Sequence, residues 1–304
     1  IQGNYIGTNR AGDALGNNYG VYIATGTDNL TLGGSAYGQG NVLGFSSGYQ
    51  VWYFCNAGSQ VIKGNFIGTT YDSGVWRDLG PANHGIYVDG SGTLVIGGVS
   101  TGGSGPQSIH EGNYITSHDT AAKAGIYVNN GSPTIMGNFL GTNRLGADLG
   151  NTHAIQIAAG THSVVIGGAG YGEGNVLGGS NGHQILFQAT GGTSVIKGNH
   201  IGTTFDAGVW RDLEAADHGI YVNGVGALTI GGTSTGGSTR TIGEGNFIAF
   251  HNVGKAGIYA LSGTPSILGN YIGTNRSGAD LGNAYGIILG GSVGNITVGS
   301  ATYG

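Results

Sequence analysis

Apolar residues in this chain come in short runs, each closed by Gly, Asn, Ser or Thr, and the runs recur in sets of three. One set reads GNFIG at 64–68, GIYV at 85–88 and LVIGG at 94–98. The next reads GNYIT at 112–116, GIYV at 125–128 and TIMG at 134–137, and a later one GNHIG at 198–202, GIYV at 219–222 and LTIGG at 228–232. Within a run the alternation of Ile86, Tyr87 and Val88 is the period of a strand with one face buried. Ile126 and Val128 flank Tyr127 in the same way, and Ile220 and Val222 flank Tyr221. No segment has helical period, and glycine at this density opposes helices. The pattern predicts many short strands joined by turns.

The units can be counted. Gly-Asn, one variable residue, then Ile or Leu occurs at Asn4, Asn41, Asn65, Asn113, Asn138, Asn175, Asn199, Asn246 and Asn270, with spacings of 37, 24, 48, 25, 37, 24, 47 and 24 residues. The basic unit is therefore about 24 residues, a length typical of stacked repeats. Insertions of 13 and about 23 residues occur within it, and the order of spacings returns after four units. The chain thus divides into super-repeats at 1–134 and 135–266 and a partial one at 267–304, within one domain. Two positions after each Asn stands an aliphatic (Ile6, Leu43, Ile67, Ile115, Leu140, Leu177, Ile201, Ile248, Ile272), which alternation places on the inner face.

Three short strands per unit predict one coil of a triangular parallel β-solenoid, all-β, with about nine coils rising about 43 Å. The crossover rule gives it a right hand. Each ladder Asn falls at the corner between the third strand of one coil and the first of the next. There stacked amides can bond along the axis and to turn backbone. This pattern resembles the right-handed parallel β-helix proteins, most closely the large bacterial cell-surface proteins built from β-helix repeats. The resemblance covers the whole chain and implies a fold and an extracellular setting rather than a chemistry.

Composition adds exclusions. Gly is 68 of 304 residues but Pro only 4, which excludes collagen; charged residues are 8%. Net charge is −5, and the ten Lys and Arg are scattered, so no nucleic-acid footprint exists. No apolar run is long enough to enter a membrane as a helix. Cys55 is alone, which excludes an internal disulfide, and so few cysteines suit the outside of a bacterium. Ile1–Gln2 reads as the tail of a third strand, and SATYG at 300–304 as the approach to another Asn corner. The expectation is a piece of a longer protein, or a subunit that self-associates end to end or side by side.

The insertions hold the candidate chemistry. TNRAGDALGN at 8–17, TNRLGADLGN at 142–151 and TNRSGADLGN at 274–283 offer Asp13, Asp148 and Asp280 as loop calcium ligands. The Asp shifts by one residue between copies, which favours contacts that pin the loop; no cofactor and no metal are expected. TTYDSGVWRDLGPANHG at 69–85 gathers Asp72, Asp78 and His84 with Trp76 and Arg77. TTFDAGVWRDLEAADHG at 203–219 gathers Asp206, Asp212, Asp217 and His218 with Trp210 and Arg211. Paired carboxylates with a Trp are the equipment of carbohydrate hydrolysis, so a carbohydrate-active β-helix enzyme, polysaccharide lyase or glycoside hydrolase, is the alternative to the expected role as a structural segment of an extracellular stalk, adhesin or filament. The competing reading is a loop folded over the rod, with Trp packed down and Arg77 tied to Asp78. The Asp-Asp, Gly-His-Gly and Arg-Ile-Lys motifs of polygalacturonase-like β-helix enzymes are absent.

Outward aromatics form two stripes, one of Tyr5, Phe66, Tyr114, Phe139, Phe247 and Tyr271, the other of Tyr22, Tyr87, Tyr127, Tyr221 and Tyr259. With Trp76 and Trp210 they offer a contact surface for glycans or a neighbouring rod, or else stack on one another. The Thr residues after the ladder (Thr8, Thr69, Thr142, Thr203, Thr274) are interrupted by Phe45, Gly179 and Phe250, too broken for a flat ice-binding array. Lys63 and Lys197 recur at one corner and are expected in solvent, and the remaining His residues look dispersed.

Overall fold

A computed structural model describes residues 1–80, 83–100, 111–120, 123–143, 145–206, 208–213, 217–233, 243–251 and 254–299. The terminal SATYG segment lies outside them. Three nine-stranded sheets run through the molecule, and every pairing within them is parallel between successive coils. The first sheet runs from Tyr5–Ile6 to Tyr271–Ile272, the second from Val21–Ile23 to Tyr285–Val293, and the third from Thr31–Gly33 to Thr297–Val298. Each coil contributes one strand to each sheet. The protein is a triangular parallel β-helix of nine coils.

The core follows from register. Ile86 lies on Ile126, which lies on Ile155, and Val88 on Val128, so like side chains stack in columns. Leu43, Ile67, Ile115, Leu140, Leu177, Ile201 and Ile248 are fully buried, as are Ile62, Ile96, Ile135, Ile166, Ile196 and Ile230 on the third sheet. A single coil could not enclose these side chains; the next coil closes each layer.

The nine ladder asparagines lie in register. Each side-chain amide donates to the Oδ1 of the next, at 2.9 Å from Asn4 through to Asn246, where the last link, to Asn270, is 2.8 Å. The same Oδ1 also accepts the backbone N–H of the preceding Asn, as from Asn113 to Asn138 at 3.0 Å. The second amide proton goes to a carbonyl, Ile96 for Asn138 and Ile62 for Asn113. Asn41 through Asn246 are completely buried, and these bonds satisfy them. The glycine beside each Asn has a steric cause: Gly64 has φ +67°, and a Cβ there would overlap the Gly34 carbonyl.

One expectation is corrected. Lys63 and Lys197 are not free in solvent. Lys63 Nζ bonds Glu111 at 2.5 Å and Lys197 Nζ bonds Glu244 at 2.9 Å. The Thr residues beside the ladder make no outward array. Thr8, Thr69, Thr142 and Thr203 are buried, with Thr69 Oγ1 bonded to the Arg77 carbonyl and Thr142 Oγ1 to that of Ala147.

Candidate functional site

The two WRD insertions are antiparallel hairpins, Thr69–Asp72 with Val75–Asp78 and Thr203–Asp206 with Val209–Asp212. Ser73 and Gly74 at the first tip both have positive φ, the conformation that matches strand twist in a two-residue turn. Leu79 and Leu213 anchor the hairpin bases in the protein interior. Trp76 packs on its cross-strand neighbour Tyr71 and meets Tyr114 edge-on, with centroids 4.8 Å apart. Trp210 repeats this against Phe205 and Phe247, at 4.5 Å from the latter, and stacks on His200. The indoles therefore roof the first sheet, and Tyr114 and Phe247 beneath them are buried. Arg77 does not tie to Asp78: its Nη1 reaches the Ala11 carbonyl at 3.2 Å, linking the hairpin to a loop two coils away. Replacing Trp210 with Ala should uncover Phe247 and cost about 2–4 kcal/mol in denaturant unfolding.

The carboxylates of one hairpin do not converge. Asp72 pairs with Val75 at the tip, and Asp78 with Thr69 at the base, three ladder steps or about 10 Å along the strand. Asp206 and Asp212 occupy the same positions in the second hairpin. Asp78 Oδ1 accepts the Gly80 N–H at 2.7 Å. Across from it, a cleft of about 400 Å³ beside Trp76 is lined by Asp78, Asp119 and Asp148, with Ser117 and Asn181. Asp119 was not among the sequence candidates, since it occurs outside the repeated loop. The TNR-loop carboxylates close their own turns: Asp148 accepts from Gly150 N–H, Asp280 from Gly282 N–H, and Asp13 from the Asn9 amide.

His84 opens a strand of the second sheet and His218 stands just before the equivalent strand, Ile220–Val222. Each Nδ1 accepts a backbone N–H from the coil above, Ala124 for His84 at 3.0 Å and Ala256 for His218 at 2.9 Å. Burial pushes His84 down to about 3 and lowers His218 as well. The His residues that look dispersed in sequence are brought together here. His153, His183 and His218 stack at successive centroid separations of 5.5 Å. Asp217 stands beside them, 3.4 Å from His183 Nδ1, 3.6 Å from His218 Nε2 and 3.0 Å from Lys255 Nζ. Burial raises the Asp217 carboxyl, but Lys255 and the two imidazoles together hold it below its ordinary value. In the first super-repeat the same places carry Tyr19, Tyr49 and Asn83, so aligning the two copies is the signal that would have found this cluster. Among the described residues no group of three His, Cys, Asp or Glu is arranged to hold a metal.

The outward tyrosines use their faces on one another. Tyr87 lies flat against Tyr49 at 4.3 Å and is parallel to Tyr127 at 5.4 Å; Tyr221 lies flat against His183 at 4.4 Å. A ring stacked on both sides offers an edge to a partner, not a platform.

No protein-family model, curated protein or solved structure matches the chain.

Proposed function

We propose that this chain is a structural segment of an extracellular bacterial stalk, adhesin or filament, working by stiffness and resistance to proteolysis. The observation that carries the reading is the unbroken amide ladder through all nine coils. It ties every coil to the next at a corner while three sheets tie their sides. Such a rod resists local opening, since no coil can leave without breaking buried bonds to both neighbours. The tyrosine stacks and the Trp roofs support the same reading, because they spend aromatic surface on rigidity. Self-association, end to end or side by side, is the partner this role requires, with glycans as a further surface contact. Electron microscopy of the native material should show slender unbranched rods that survive protease. Isolated compact particles would overturn the reading.

A second reading has one observation in its favour, the cleft in which Asp78, Asp119 and Asp148 face Trp76. That is the setting of a carbohydrate-active site, with a carboxylate for acid or base and an indole beside the sugar. It requires release of reducing ends from an acidic or neutral polysaccharide, lost on Asp119→Asn. An intact polysaccharide after prolonged incubation would dismiss it.

A further inference from the structure

The hairpin at 203–212 does more than roof the first sheet. Between it and the corner loop at 168–174 lies a second cleft with about 100 Å³ of room. Phe139, Val176 and His200 of the first sheet line it, together with Tyr171 from the corner and Phe205 and Asp206 from the hairpin. Two polar groups here bear on what the cleft could hold. Asp206 is only 9% exposed, and its carboxylate makes no hydrogen bond or ion pair among the described residues. The Nδ1 of His200 is also buried without a partner.

A carboxylate without a partner at the wall of a cleft is a natural counter-ion, and a positive charge pairs with it more strongly than a neutral donor does. Aromatic side chains around the same space favour a cation with apolar substituents, through the ring quadrupole and through contact with its methyl groups. Burial pushes His200 down to about 4, so at neutral pH it adds no charge that would repel such a ligand. The first super-repeat supplies an internal comparison. There Phe66 stands for His200 and Asp72 for Asp206, and Asp72 is more exposed. The feature belongs to one copy and not to the repeat as such.

We propose that the cleft beside Asp206 is a binding site for a small organic ammonium group, with Asp206 as counter-ion and Phe205, Tyr171 and Phe139 as its aromatic surround. Tetramethylammonium chloride, titrated into the intact 304-residue chain by calorimetry and ligand-observed NMR, should bind saturably. Asp206→Asn should weaken it at least tenfold, and Phe205→Leu severalfold, while Asp72→Asn leaves it unchanged. Circular dichroism checks that each variant keeps its strands, and Phe205→Leu decides the question if Asp206→Asn does not. Absence of saturable binding, equal binding by Asp206→Asn, or glucose binding in place of tetramethylammonium would each overturn the assignment.

Discussion

Acidification from pH 7 to pH 4 should unfold this protein, and two histidines should account for much of the effect. His118 and His251 occupy equivalent places in the two super-repeats, and both side chains are completely buried. Each has one ring nitrogen bonded: His118 Nδ1 lies 3.3 Å from the Asn151 Oδ1, and His251 Nδ1 lies 2.8 Å from the Asp217 carbonyl. The Nε2 of each is enclosed without a partner, close to Gly68 in one case and Gly202 in the other. Protonation would place a charge in the buried interior, and burial outweighs the acceptors beside each ring, pushing both groups down to about 4.

The folded form thus holds these groups neutral, while the unfolded chain protonates them near 6.5. Their contribution is complete above pH 6.5 and is lost as pH falls toward 4, since the unfolded state binds the extra protons. Each group forfeits roughly 3 kcal/mol by pH 4. Two such groups together remove roughly 6 kcal/mol, comparable to the whole stability of many domains. Urea midpoints measured at half-unit steps should fall steeply across this window. His118→Phe and His251→Phe variants that still fold should show a shallower slope, and an unchanged slope in both would dismiss the account.

The fold was legible because its signal repeats. The Asn corner, the inward aliphatic two residues later and the Ile-Tyr-Val alternation all follow from backbone register. Every coil repeats that register, so each residue type recurs nine times where geometry demands it. The outer contacts were only partly legible. Which residue meets Arg77 or Lys63 depends on how an insertion lies over other coils, and that is set once, by loop length, rather than nine times by register. Hence Ala11 and Glu111 as partners, 66 and 48 residues away, have no periodic signature. The His153, His183 and His218 column lies between these cases. Its spacing is fixed by the coils, but its chemistry appears in one super-repeat only. A search for repeated residues passes over it, whereas a comparison of the two copies exposes it.

Breaking the amide ladder in mid-rod should cost far more than breaking it where the amide is exposed. Asn138 Oδ1 accepts both the backbone N–H and the side-chain amide of Asn113, and its own Nδ2 reaches the Ile96 carbonyl and Asn175 Oδ1. Asn138→Ala leaves two buried donors of Asn113 without an acceptor and removes the amide donor to the Ile96 carbonyl, while Asn175 Oδ1 keeps the backbone N–H of residue 138. With about 1–3 kcal/mol for each orphaned donor, the loss is about 2–6 kcal/mol. Asn138→Asp keeps an acceptor but turns it toward Asn175 Oδ1 and the Ile96 carbonyl, and adds a buried charge; it should be worse than Ala at neutral pH. Asn4, by contrast, is exposed and donates only to Gln2 O and Asn41 Oδ1 through its side chain. Solvent replaces those bonds, so Asn4→Ala should cost about 1 kcal/mol or less. Urea unfolding of the three variants beside the parent chain reads the ordering directly. If Asn138→Ala lost no more than Asn4→Ala, the ladder would be decoration on a rod held by its sheets alone.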